Sequence, residues 1–101
     1  MLKEILENKV MVPELYDLFD ELKKELNLKI LYSDFSDGYI EFEYNDEKMT
    51  LIQDFVGMKY EIKILNEEGE KIVSSTKCMD NDGWYNVNCI INLIDTASEL
   101  I

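Results

Sequence analysis

The sequence predicts an α+β fold: a two-layer sandwich in which an antiparallel meander of about five strands carries N-terminal helices and a C-terminal helix on one face. Three observations predict it. Apolar residues recur at three-four spacing near both ends of the chain. They alternate every second residue through the middle, and short clusters of Asp, Asn and Gly cut that middle into hairpin-length segments. The 101 residues suit a single domain, 1–101, built on one core.

The elements follow in order. Leu2, Ile5, Leu6 and Lys9 predict a short first helix, either separate from the next or joined to it as one kinked rod. Pro13 suits the first turn of a second helix, where its missing N–H costs nothing. There Leu15, Leu18, Phe19, Leu22 and Leu26 form one stripe, with Glu14, Asp17, Glu21 and Lys24 opposite and Asn27 at the end. The period then changes to two. Strands are predicted at Lys29–Phe35, Tyr39–Tyr44, Lys48–Val56, Met58–Leu65 and Lys71–Lys77, with turns at Ser36-Asp37-Gly38, Asn45-Asp46-Glu47, Gly57 and Asn66–Glu70. Ile40, Phe42 and Tyr44 share one face of their strand and Glu41 and Glu43 the other. Ile52 and Val56 fall out of phase with Met49 and Leu51. They predict either a bulge or an apolar spot on the outer sheet face. A terminal helix should follow Gly83, capped by Asp80 or Asp82, on a stripe of Trp84, Val87, Ile90, Ile91, Ile94, Ala97 and Ile101. Phe19, Phe42, Phe55 and Trp84 are expected in the core. Tyr16, Tyr39 and Tyr85 either take part in an interface or cover the core's edges.

Charge narrows function more than any motif. The chain carries 22 acidic residues against 10 basic ones, all lysine, for a net charge of −12. Without histidine no imidazole can ligate a metal or move protons near neutral pH. Without arginine no guanidinium can clamp a phosphate through paired bonds. A surface of this sign repels nucleic acid and anionic lipid and attracts basic proteins. Cys78 and Cys89 form no CxxC pair and read as reduced, mostly buried thiols of a cytosolic protein. The run Asp80-Asn81-Asp82-Gly83 lacks the glycine and glutamate spacing of a calcium loop and reads as a turn and cap. No phosphate-binding glycine loop, nucleophile elbow or cysteine–histidine pair is present. The expectation is a non-enzymatic protein with no metal and no cofactor.

The acids are spaced in a way that suits a binding surface. Glu41 and Glu43, two apart on a strand, stand about 6.8 Å apart, close to the step between successive phosphates. Glu14, Asp17 and Glu21 line a helix face at about 5–6 Å intervals. The turns add Asp34 and Asp37, Asp46 and Glu47, and Glu67, Glu68 and Glu70. Lys59, Lys63, Lys71 and Lys77 are placed to neutralise part of the sheet by cross-strand pairing, so a strongly negative region belongs at the turns or on the helix. In size, charge and architecture the chain resembles the small inhibitors encoded by phages and mobile elements, the anti-CRISPR proteins and DNA mimics. Its Lys-, Asn-, Ile- and Glu-rich composition without arginine is similar to that of proteins from AT-rich bacterial and phage genomes. The resemblance implies a cytoplasmic inhibitor that occupies a basic nucleic-acid-binding protein, such as a CRISPR effector, with carboxylates in place of phosphates. The alternative is a small interaction module or homodimer that pairs through the outer sheet face or an edge strand.

Overall fold

A computed structural model describes residues 11–80 and 82–101, so the helix expected at Leu2–Lys9 lies outside the described residues. The element order is β1 (Met11–Val12), α1 (Leu15–Glu25), β2 (Leu28–Asp34), β3 (Tyr39–Tyr44), β4 (Glu47–Val56), β5 (Lys59–Leu65), β6 (Lys71–Ser75), β7 (Tyr85–Asn86) and α2 (Val87–Leu100). Strands β2 to β6 form an antiparallel meander in sequence order, and β1 pairs with β7 in a separate two-stranded ribbon. The α+β class is as the sequence predicts.

The core follows from the two periodicities. In α1 the residues Leu15, Leu18, Phe19 and Leu22 are buried. In α2 they are Val87, Ile90, Ile94 and Ala97. The sheet contributes Ile40, Phe42, Met49, Leu51, Ile62 and Ile64, all in one phase, and the three sets merge into one cluster. Both helices therefore cover the same sheet face. Each fully buried Leu, Ile or Phe of this kind contributes about 1.5–3 kcal/mol of hydrophobic stabilisation. Phe19 and Phe42 meet edge to face at 5.8 Å in its centre.

Several expectations are corrected. Pro13 lies ahead of α1, which starts at Leu15 behind an extended Glu14. The terminal helix starts at Val87 and is capped by Asn86, whose side chain accepts a bond from the Cys89 N–H. Asp80 is occupied elsewhere: its Oδ1 accepts from the N–H groups of Asp82 (3.0 Å) and Trp84 (2.8 Å), closing the loop before β7. Trp84 therefore precedes the helix and is 42% exposed, and Ile101 is also exposed. Phe55 has the inward phase but sits past the reach of the helices and is 58% exposed. No bulge resets β4, which pairs without a register shift with β3 and β5, so Ile52 and Val56 lie on the outer side.

The cysteines are the largest correction. Cys78 and Cys89 are joined in a disulfide, not held as thiols. The chain after β6 turns back on itself: Met79 bridges to Tyr85, and the Asn86 N–H donates to the Cys78 carbonyl at 2.8 Å. This return places the two Cα atoms 5.3 Å apart, within disulfide range.

The edges of the sheet are irregular. The β2–β3 register shifts between Ile30 and Tyr32, and the β5–β6 register shifts between Ile64 and Leu65.

Candidate functional site

An antiparallel meander puts alternate turns at the same end. The β3–β4 and β5–β6 turns share one end of the sheet, and the β2–β3 and β4–β5 turns share the other. This separates the acids that the sequence singled out into groups with different surroundings.

At the β2–β3 end, Asp34 is engaged in its own turn. Its Oδ1 accepts from Ser36 Oγ at 3.0 Å and from the Asp37 N–H at 3.2 Å. Asp37 and Glu14 line an open groove of about 430 Å³ together with Tyr16, Phe35 and Tyr85. On α1, Asp17 is half-buried in the first turn, and Glu21 pairs with Lys24 at 3.1 Å. That bond holds the Lys24 ammonium above its ordinary pKa.

The outer sheet face is charge-matched. Glu43 stands in register between Lys29 and Lys48. Lys63 contacts Asp54 at 2.9 Å and Glu61 at 3.8 Å. The Asp54 hydrogen bond is the main cause of the raised Lys63 pKa. Glu41 accepts a bond from the Tyr39 hydroxyl at 2.8 Å, which pushes that phenol's pKa up. This face does not present an unbroken anionic row.

The β3–β4 and β5–β6 end is different. Asp46 and Glu47 occupy one turn there, and Glu67, Glu68 and Glu70 the other. Asn45 and Asp46 adopt positive φ, the conformation a two-residue hairpin turn needs and these residue types tolerate. Asn66 shapes the second turn, its Oδ1 accepting from the N–H groups of Glu68 at 3.0 Å and Glu70 at 2.9 Å. Glu47, Glu67 and Glu68 line a groove of about 330 Å³ with Lys48, and Ile72, Leu100 and Ile101 supply its apolar lining.

The C-terminal half of α2 is tied to this end. The Tyr44 hydroxyl donates to Asp95 at 3.2 Å, and Asn45 Nδ2 donates to Ser98 Oγ at 3.4 Å. Burial, followed by the bond to Asp95, raises the Tyr44 pKa. Asp95 and Glu99 thus join the anionic end, although the sequence reading did not select them. The available signal was that no lysine follows Lys77. The last turn of α2 carries no basic residue, whereas the last turn of α1 carries Lys23 and Lys24. The negative end of the α2 dipole therefore adds to the carboxylates with no base on the helix itself to offset it, and Lys48 and Lys71 are the lysines of the neighbouring strands at this end. None of the three ion pairs among the described residues lies here.

The tyrosines divide. Tyr16 is exposed, Tyr39 is half-buried on the outer face, and Tyr85 is buried with its hydroxyl bonded to Gln53 Oε1. Among the described residues no group of three or more acidic or cysteine side chains converges as a cation site, and no helix is long and apolar enough to cross a membrane. Comparison of the chain with protein-family models, with curated proteins and with solved structures gives no match.

Proposed function

We propose that the protein is a non-enzymatic acidic binding protein that occupies a basic groove on a nucleic-acid-binding partner. The observation that carries the reading is the carboxylate excess at one end, where among the described residues Lys48 and Lys71 are outnumbered by acids and form no ion pair with them. Two turns bearing Asp46, Glu47, Glu67, Glu68 and Glu70 meet the base-free C-terminal end of α2. Fold stability does not ask for this arrangement, because like charges beside the negative end of a helix dipole repel. A partner carrying lysine and arginine supplies the missing counter-charge, and carboxylates then stand where phosphates would lie. The resemblance to phage-encoded inhibitors makes a CRISPR effector one such partner and the cytoplasm the compartment. With the cysteines paired, that compartment rests on the resemblance and no longer on free thiols.

The test is capture on the immobilised protein from host lysate at low salt, run beside an E47K/E67K/E68K variant. The expected result is a nucleic-acid-binding protein retained by the wild type, lost from the variant, eluted by salt and displaced by duplex DNA. Equal retention on both columns, or retention unaffected by salt, would overturn the reading.

A further inference from the structure

The β4–β5 turn, at the end of the sheet opposite the Glu47, Glu67 and Glu68 groove, is unusual. Val56 pairs with Lys59, leaving Gly57 and Met58 as a two-residue hairpin loop in which both have positive φ, +58° and +67°. The β3–β4 hairpin has a turn of the same length and meets the same demand with Asn45 and Asp46. Met58 departs from that chemistry, since an unbranched apolar side chain gains nothing locally from a left-handed backbone. Its side chain is 86% exposed, so packing does not explain it either. Phe55, Val56 and Tyr60 beside it are also exposed, with the Phe55 and Tyr60 rings 4.8 Å apart. Lys59 and Lys77 flank this tip in a groove it shares with Met79 and Asp80. Strain accepted in order to display an apolar side chain points to a contact.

The molecule carries the complement of that tip at its other end. The groove bounded by Glu47, Glu67 and Glu68 is lined with apolar Ile72, Leu100 and Ile101. The tip offers an apolar centre beside two lysines and one acid, Asp80, and the groove an apolar lining beside three glutamates and one lysine, Lys48, so the two surfaces differ in the sign of their charge excess. They occupy opposite ends of β4, which starts at Glu47 and finishes at Val56, about 30 Å apart at the rise of a strand. We infer that the β4–β5 tip docks head to tail into the acidic groove of a second copy of this chain. Met58 enters between Ile72 and Leu100, and Lys59 and Lys77 face Glu67 and Glu68. Such a heterologous contact extends into a short filament or closes as a ring. It uses the same surface as the proposed basic partner, so the two contacts compete. It does not rest on that reading, because self-docking would stand even if no basic partner existed.

Sedimentation velocity over a dilution series at physiological salt tests the inference. The wild type is expected to grow beyond dimer as concentration rises. M58D and E67K/E68K should each weaken association by roughly tenfold or more. M58G, which relieves the turn while removing the side chain, should weaken it as M58D does, and this separates docking from folding. An equimolar mixture of M58D and E67K/E68K should form a dimer and stop, since one partner keeps a working groove and the other a working tip. A wild type that stays monomeric up to about 1 mM would overturn the inference. So would an E67K/E68K variant that associates like the wild type, which marks a tip-to-tip dimer, or a mixture that does not pair.

Discussion

Met58 and Gly38 show how the same backbone region has opposite consequences at two residues. Both have φ of +67°, but Met58 projects into solvent and Gly38 is buried. Met58→Gly should raise stability by about 1 kcal/mol, read as a higher urea midpoint at unchanged slope. Gly38→Ala should lower it by at least about 1 kcal/mol, because a Cβ there would meet the Gln53 Cβ at 3.0 Å in addition to the backbone strain. Tyr85 belongs to this scale as well. Burial is the main cause of its phenol pKa rising from 10.0 to about 12, with Gln53 working in the other direction. A raised folded-state value means that the native protein keeps this proton longer than the unfolded chain. The stabilisation is therefore complete below pH 10 and disappears as pH rises towards about 12. Tyr85→Phe should flatten that part of the stability profile, measured by denaturant unfolding at stepped alkaline pH. The sequence marked Phe19 and Phe42 as core correctly because helix and strand phases both pointed inward. It misplaced Phe55 because phase says which side a residue faces and not how far the covering helices extend.

The elements differ in how clearly the sequence announced them. The five meander strands were legible because turn-forming clusters bounded each of them and period-two alternation ran cleanly through Tyr39–Tyr44, which was placed to the residue. The β1–β7 ribbon was not, because two-residue strands carry no period. The disulfide escaped for a related reason: cysteines with a sequence separation of 11 show no pairing signal until the return of the chain through Met79 and Tyr85 brings them together. Closing a ring of that size constrains the unfolded chain by about 3 kcal/mol. A C78A/C89A variant should lose up to about that much, and a thiol reductant should lower the wild-type midpoint while leaving the double variant unmoved. Asn86→Ala should cost α2 about 1 kcal/mol, since the orphaned Cys89 N–H then loses its acceptor.

For the molecule as a whole, net charge was plain from composition and its distribution was not. Every acid in the sequence reading occupied a turn or a polar face, but only the meander's handling of alternate turns decided which would gather. Glu43 and Glu41 were absorbed by lysine and tyrosine neighbours, while Glu47, Glu67 and Glu68 were left together. Self-repulsion at −12 should make thermal stability rise with added salt until screening is complete. E67K/E68K should be more stable than wild type by several tenths of a kcal/mol, through relief of repulsion and a better-matched end of α2. A gain in melting temperature accompanied by a loss of partner capture would mark these carboxylates as kept for binding at a cost in stability. The register shifts beside Ile30 and Leu65 matter at this scale too. A flat outer strand is a template on which further chains can stack into cross-β fibrils, and here both margins are kinked. Crowded solutions of this protein should therefore resist amyloid seeding.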